Sequence, residues 1–176
     1  MGENEKKYAV FTLDIEEWYH LDYFNKSQCD LAYSMLDGVE EYLEILDRHK
    51  IPSTFFVVGE IVKKIKSSLQ KISSLGYDIG SHGWSHKRPI SMSFNEFENE
   101  LLNSRKEISD AIGKQVYGFR APCFSIDRDR IDIVKSLGFQ YDSSKINFGA
   151  HPLYKNINMV GYDNKRLDIY NLDDFF

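Results

Sequence analysis

The chain alternates between strand-like and helix-like hydrophobic periods along most of its 176 residues, and that alternation limits what it can fold into. Residues 8–14 (YAVFTLD) are apolar and rich in β-formers, as a buried strand requires. Residues 38–50 then place Val39, Tyr42, Leu43 and Leu46 on one helical face before Pro52 breaks the helix. Residues 54–58 (TFFVV) read as a second strand ending at Gly59. Ile61, Val62, Ile65, Leu69 and Ile72 follow at helical spacing, with Gly76 where a C-terminal cap belongs. Residues 77–80 make a third, short strand leading into Ser81-His82-Gly83-Trp84-Ser85-His86. Ser93-Phe94-Asn95-Glu96 has the pattern of a capping box ahead of Phe97, Leu101, Leu102, Ile108 and Ile112, and Gly113 ends that helix. A strand over 116–120, a helix carrying Ile131, Val134 and Leu137 and stopped by Gly138, and strands over 139–142 and 167–170 complete the reading.

Strand–helix repetition of this kind predicts an α/β protein with a largely parallel sheet, either an open doubly wound layer or a barrel. Right-handed crossovers place every strand C-terminal end on one rim. The polar clusters fall on that rim: Asp14, Glu16 and Glu17 close the first strand, His82 and His86 follow the third, and Arg120 ends the fourth. Such convergence is where α/β folds build sites. Neither GxGxxG after the first strand nor GxxxxGK[ST] anywhere is present, which argues against dinucleotide and P-loop chemistry. Lys+Arg 22 against Asp+Glu 27 leaves a net charge of −5, without the basic footprint of a nucleic-acid binder. No apolar run approaches the roughly 20 residues of a membrane span. The opening residues do not have the pattern of a signal peptide. Two cysteines are too few for a disulfide scaffold, so a reducing cytoplasm is the expected location.

His82 and His86, four apart, can turn both imidazoles onto one metal from a helical face or a tight loop. The bare spacing is weak among five histidines, and its place after a strand strengthens it. Three carboxylates in four positions, at Asp14, Glu16 and Glu17, repel one another unless a cation or an arginine sits among them. Asp14 and Glu16 point to the same side of an extended strand. Arg120, in the apolar company of Gly118-Phe119-Arg120-Ala121-Pro122, calls for a carboxylate partner. His20 lies close to the acids, and Trp18 and Phe124 add aromatic rings beside the same rim clusters. With Pro122 these three make the expected substrate-lining set. Cys123 has no histidine partner that can be placed beside it, and no serine sits in a GxSxG elbow.

Asp14-Ile15-Glu16-Glu17-Trp18, Pro52-Ser53-Thr54-Phe55-Phe56-Val57-Val58-Gly59, Ser81-His82-Gly83-Trp84-Ser85-His86 and Phe119-Arg120-Ala121-Pro122 occur in the order seen in polysaccharide deacetylases of the carbohydrate esterase family 4 type. With DIEEWYH, FRAPCFS and Tyr141-Asp142-Ser143-Ser144, the chain most resembles the deacetylase-like proteins of bacterial exopolysaccharide and O-antigen clusters. The resemblance runs from about Tyr8 to Ser144. It implies a distorted (β/α) barrel that removes N-acetyl groups from a saccharide with a divalent metal, usually zinc, held by two histidines and an acid. His82 and His86 are then ligands, Asp14 is the base for the attacking water, and Arg120 orients that base. The family's two acids are usually adjacent, whereas here they are spread as D-I-E-E. Strand alternation favours Glu16 as the third ligand; adjacency would make Glu16 the base and Glu17 the ligand. The adopted reading is Asp14 as base and Glu16 as ligand, with Glu17 in reserve.

The resemblance also implies a histidine, in a Leu-x-His setting, that protonates the leaving amine; His151 comes too early and has the wrong neighbours. A second expectation is therefore a saccharide-binding relative that keeps the metal site but lacks that acid. Hydrolysis of another amide or imide on the same scaffold is a third. A complete (β/α) barrel typically needs about 250 residues and a compact one about 200. The expectation is thus one domain over residues 1–176, a barrel incomplete at its C-terminus. Such a barrel is left open or completed by a second copy in a homo-oligomer.

Overall fold

The structure is a computed structural model that describes residues 10–145. The expected strand over 167–170 and His151 lie outside the described residues, as do the first two positions of the strand over 8–14. Among the described residues five strands and four α-helices follow one another, with short 3-10 turns between them: β1 (Phe11–Ile15), α1 (Val39–His49), β2 (Ser53–Val57), α2 (Lys66–Ser74), β3 (Asp78–Ser81), α3 (Phe94–Ile112), β4 (Gly118–Phe119), α4 (Arg128–Ser136) and β5 (Tyr141–Asp142). All four strand pairings are parallel and the order is β1-β2-β3-β4-β5. A doubly wound sheet reverses its order at a switch point, so that crossovers go to both faces. Here every crossover moves one strand along in the same direction, which gathers the helices on one side. The described residues therefore form an arc of the barrel type.

The side of the arc facing the helices is apolar. Ile15, Phe55, Val57, Ile79 and Phe119 pack with Leu43 and Leu46 of α1, Leu69 and Ile72 of α2, Phe97, Leu101 and Ile108 of α3, and Ile131 and Val134 of α4. Each such fully buried side chain contributes about 1.5–3 kcal/mol. The pleat sends alternate residues the other way, and the register aligns Asp14 with Phe56 and Phe56 with Gly80 on the inner face.

The expected helix beginning at Ile61 is corrected. Gly59–Ile61 form a 3-10 turn, Ile65 leaves helical geometry (φ −112°, ψ 21°), and α2 begins only at Lys66. The apolar spacing still buries Ile61, Val62, Leu69 and Ile72. The first turn is diverted because the N–H groups of Gly59 and Glu60 donate to the carbonyls of Gly83 and Trp84, in the loop after β3. The capping box of α3 forms as expected: Ser93 Oγ accepts from Glu96 N, and Ser93 N donates to the Glu96 carboxylate at 2.8 Å. Among the described residues no helix is long and apolar enough to cross a membrane.

Candidate metal centre

Two rim segments bring together the side chains that could hold a cation. Glu16, one residue beyond β1, meets His82 and His86 from the loop after β3, and their ligand atoms all lie within 4.8 Å of one another. Each histidine is held from behind. Nδ1 of His82 sits 2.8 Å from the carbonyl of Arg120, and Nδ1 of His86 sits 2.9 Å from the carbonyl of His20. A carbonyl can only accept, so Nδ1 carries the proton in both rings and Nε2 is left toward the centre. Burial pushes the His82 pKa down, which keeps its Nε2 lone pair available. Burial acts on His86 in the same sense, but the Glu16 carboxylate overrides it and raises the pKa. For Glu16 burial acts upward, yet the close approach of the His86 ring and the charges of the nearby histidines hold the carboxyl below its ordinary value.

The loop is built to carry these rings. Gly83 has φ +75°, a region that glycine enters without strain, and His86 adopts φ +62° despite its side chain. Gly59 lets the loop pack closely: a Cβ there would lie 2.7 Å from the Trp84 ring and 3.0 Å from the Ser104 backbone. Glu100 of α3 accepts from Trp84 N (2.9 Å), Ser85 N (2.8 Å) and Ser85 Oγ (2.7 Å). Sequence reasoning missed Glu100. Its signal was a charged residue beside Phe97, Leu101 and Ser104 on the inward stripe of α3. Glu100→Ala strands two loop N–H groups and should cost about 2 kcal/mol in denaturant unfolding, with Glu100→Gln retaining more of the stability.

Beside the ligand cluster, Asp14 is clamped by Arg120, whose Nη1 donates to Asp14 Oδ1 (2.8 Å) and to Thr12 Oγ1 (3.0 Å). Arg120 is itself fixed by Ser143, through Nε to the carbonyl (3.1 Å) and Nη2 to the hydroxyl (2.7 Å), and it lies over the Phe56 ring. The other Asp14 oxygen, Oδ2, stands 3.7 Å from Nε2 of His82.

The donor set fits a divalent cation. Oε2 of Glu16 is buried and accepts no hydrogen bond, although it stands 2.7 Å from Nε2 of His86. With the proton on Nδ1, a neutral His86 turns a lone pair toward that oxygen, an arrangement that either a metal ion or a second ring proton between the two atoms relieves. Two imidazoles and one carboxylate are the ligand chemistry of catalytic zinc sites, which keep further positions open.

Two expectations are corrected. Glu17 faces away from the centre and is fully buried, with Lys64 Nζ and Ser34 Oγ each at 2.7 Å and Met35 N at 3.0 Å. Alternation past β1 sends Ile15 and Glu17 to the side opposite Asp14 and Glu16, so Glu17 anchors the loop before α1 and is no ligand. His20 does not line a substrate surface, because its side chain is 0% exposed and both ring nitrogens are engaged. Trp18 packs edge-on with Tyr19, Phe24 and Tyr33 and donates to the Tyr33 carbonyl, which organises the same loop. Pro122 is buried, while Phe124 is half-buried with its ring 5.4 Å from the Arg120 guanidinium carbon.

Cys123 shows no sign of nucleophilic activation. Burial, reinforced by the charge of Asp22, pushes its thiol up to about 12. Its thiolate fraction at pH 8 is then about 10³-fold below that of an ordinary cysteine. Iodoacetamide should modify Cys123 far more slowly than a free thiol, as peptide mass spectrometry of the folded chain would record.

The family model described as polysaccharide deacetylase matches residues 3–141. A peptidoglycan deacetylase of Helicobacter pylori is 28% identical over 120 residues, covering 68% of this chain and 41% of the relative. The chain thus spans less than half the length of that relative. A candidate polysaccharide deacetylase from Mycobacterium smegmatis superposes with a TM-score of 0.66 at 26% identity, over 77% of this chain and 50% of the other. A carbohydrate esterase family 4 pseudoenzyme from Bacillus anthracis shares the fold, with a TM-score of 0.63 at 22% identity over 78% of this chain and 43% of the other. Together with the fold and the Glu16–His82–His86 cluster, the match over residues 3–141 shows that the chain belongs to the polysaccharide deacetylase family.

Proposed function

We propose that the chain is a metal-dependent hydrolase that removes N-acetyl groups from a saccharide, with Zn2+ or another divalent transition metal held by Glu16, His82 and His86. The observation that carries this reading is the meeting of three oriented ligand atoms with a carboxylate–arginine pair at the same rim. A bound divalent cation supplies Lewis acidity, which acidifies water and polarises an acyl oxygen. Asp14 keeps one oxygen on Arg120 and has Oδ2 free to take the proton of the attacking water. Arg120, held by Thr12, Ser143 and the Phe56 face, fixes the direction of that carboxylate and has little freedom to move during the reaction. Half-exposure of Asp14 and Glu16 leaves this side of the centre open to a ligand.

The reaction consumes one water per acetamide and yields acetate and a free amine in equal amounts. N-acetylglucosamine oligomers incubated with the metal-loaded chain should release both in a 1:1 ratio. Background release from these oligomers together with amine formation from a different amide would point to another amide substrate. Metal uptake with background release of both would favour the saccharide-binding reading, consistent with a pseudoenzyme among the proteins that share the fold.

A further inference from the structure

We propose that Glu60 and the buried ring of His20 are positioning residues for His86, and that they set the metal affinity of the centre from behind it. The inference rests on the metal-centre reading above. The carbonyl that holds Nδ1 of His86 belongs to His20, and its position follows from how the His20 ring is tied. Nδ1 of that ring accepts the N–H of Glu17 at 2.8 Å, which leaves the ring proton on Nε2. Nε2 donates to Glu60 Oε1 at 2.6 Å. With both nitrogens spent and its side chain fully buried, His20 is neither a ligand nor a proton carrier.

Glu60 reaches the same loop by a second route. Its backbone N–H donates to the carbonyl of Trp84 at 3.0 Å, two residues before His86. The contacts therefore close a circuit: Glu60 carboxylate to His20 ring, His20 carbonyl to His86 ring, and Trp84 carbonyl back to Glu60. His86 stands in that circuit at φ +62°, a backbone region a histidine occupies only when its surroundings hold it there. Lys26 Nζ also reaches Glu60 Oε1. Although burial acts upward on Glu60, His20 and Lys26 hold its carboxyl below the ordinary value, so it stays an anionic acceptor. Glu60 precedes a divided helix and carries no motif signal. Its role appears only once the 59–61 turn is seen docked on the loop.

The test is a zinc titration of the metal-stripped full chain against a chromophoric chelator, with the visible spectrum of the Co2+ form as a second readout. Glu60→Ala should bind zinc about 10–100-fold more weakly than wild type and shift the cobalt bands, because the imidazole presented to the metal is no longer fixed. Glu60→Gln, whose amide oxygen still accepts from His20 Nε2, should bind close to wild type. Lys26→Ala, which keeps the His20 contact, should do the same. His20→Asn places an amide oxygen near the Nδ1 position and loses the reach to Glu60, so it should weaken binding like Glu60→Ala; it decides the matter if Glu60→Ala does not fold. Folded Glu60→Ala and His20→Asn proteins with wild-type affinity and an unchanged cobalt spectrum would overturn this inference alone. A wild-type chain that takes up no zinc would overturn the metal-centre reading together with it.

Discussion

His82→Ala is expected to abolish tight divalent-metal binding and, with it, acetate release. His82 is buried, its Nδ1 proton is committed to the Arg120 carbonyl, and its Nε2 is one of only three ligand atoms in the cluster. Alanine removes a direct ligand rather than an outer support. The affinity loss should therefore exceed the about 10–100-fold typical of outer-shell substitutions. The substitution also frees the backbone carbonyl of Arg120, the residue whose side chain clamps Asp14. Zinc titration of the stripped variant checks the first effect, and an acetate assay at saturating metal checks the second. Persistence of tight one-to-one binding in His82→Ala would remove His82 from the centre.

Asp14→Asn should separate chemistry from metal binding. Asparagine keeps the shape and an oxygen that accepts from Arg120 Nη1, but it cannot take a proton from water. Loss of a positioned general base lowers turnover by about 10²–10⁴-fold. Asp14 lies outside the Glu16–His82–His86 cluster, so zinc affinity should stay close to wild type, and KM should move little. Steady-state kinetics beside a zinc titration would show the split. An Asp14→Asn protein that loses its metal would identify Asp14 as a ligand and leave Glu16 as the candidate base.

Much of this was legible locally. The alternation of periods set out the strands and helices, and the Ser93–Glu96 capping box placed the start of α3 to the residue, because both signals are short-range. The histidine pair and the acids of the first strand end were visible for the same reason. Alternation along β1 sorts Asp14 and Glu16 from Glu17, and the contacts of Glu17 with Lys64, Ser34 and Met35 show where the other side leads. Strand order separated a barrel arc from a doubly wound layer, a distinction that periodicity cannot make. The split before α2, the burial of His20 and the roles of Glu60 and Glu100 depend on contacts between segments 15 to 66 residues apart. No spacing rule within one segment encodes them. His20 illustrates the limit well: proximity to the acids suggested a surface role, whereas two hydrogen bonds bury its ring behind the centre.

Reconstitution of the metal-stripped chain tests the central claim most directly. Zinc added stepwise to the stripped wild type, with bound metal and acetate released from N-acetylglucosamine oligomers followed together, should show both rising in proportion and saturating at one ion per chain. Acetate release that is already complete before metal is added, or a chain that binds no zinc at all, would contradict the account.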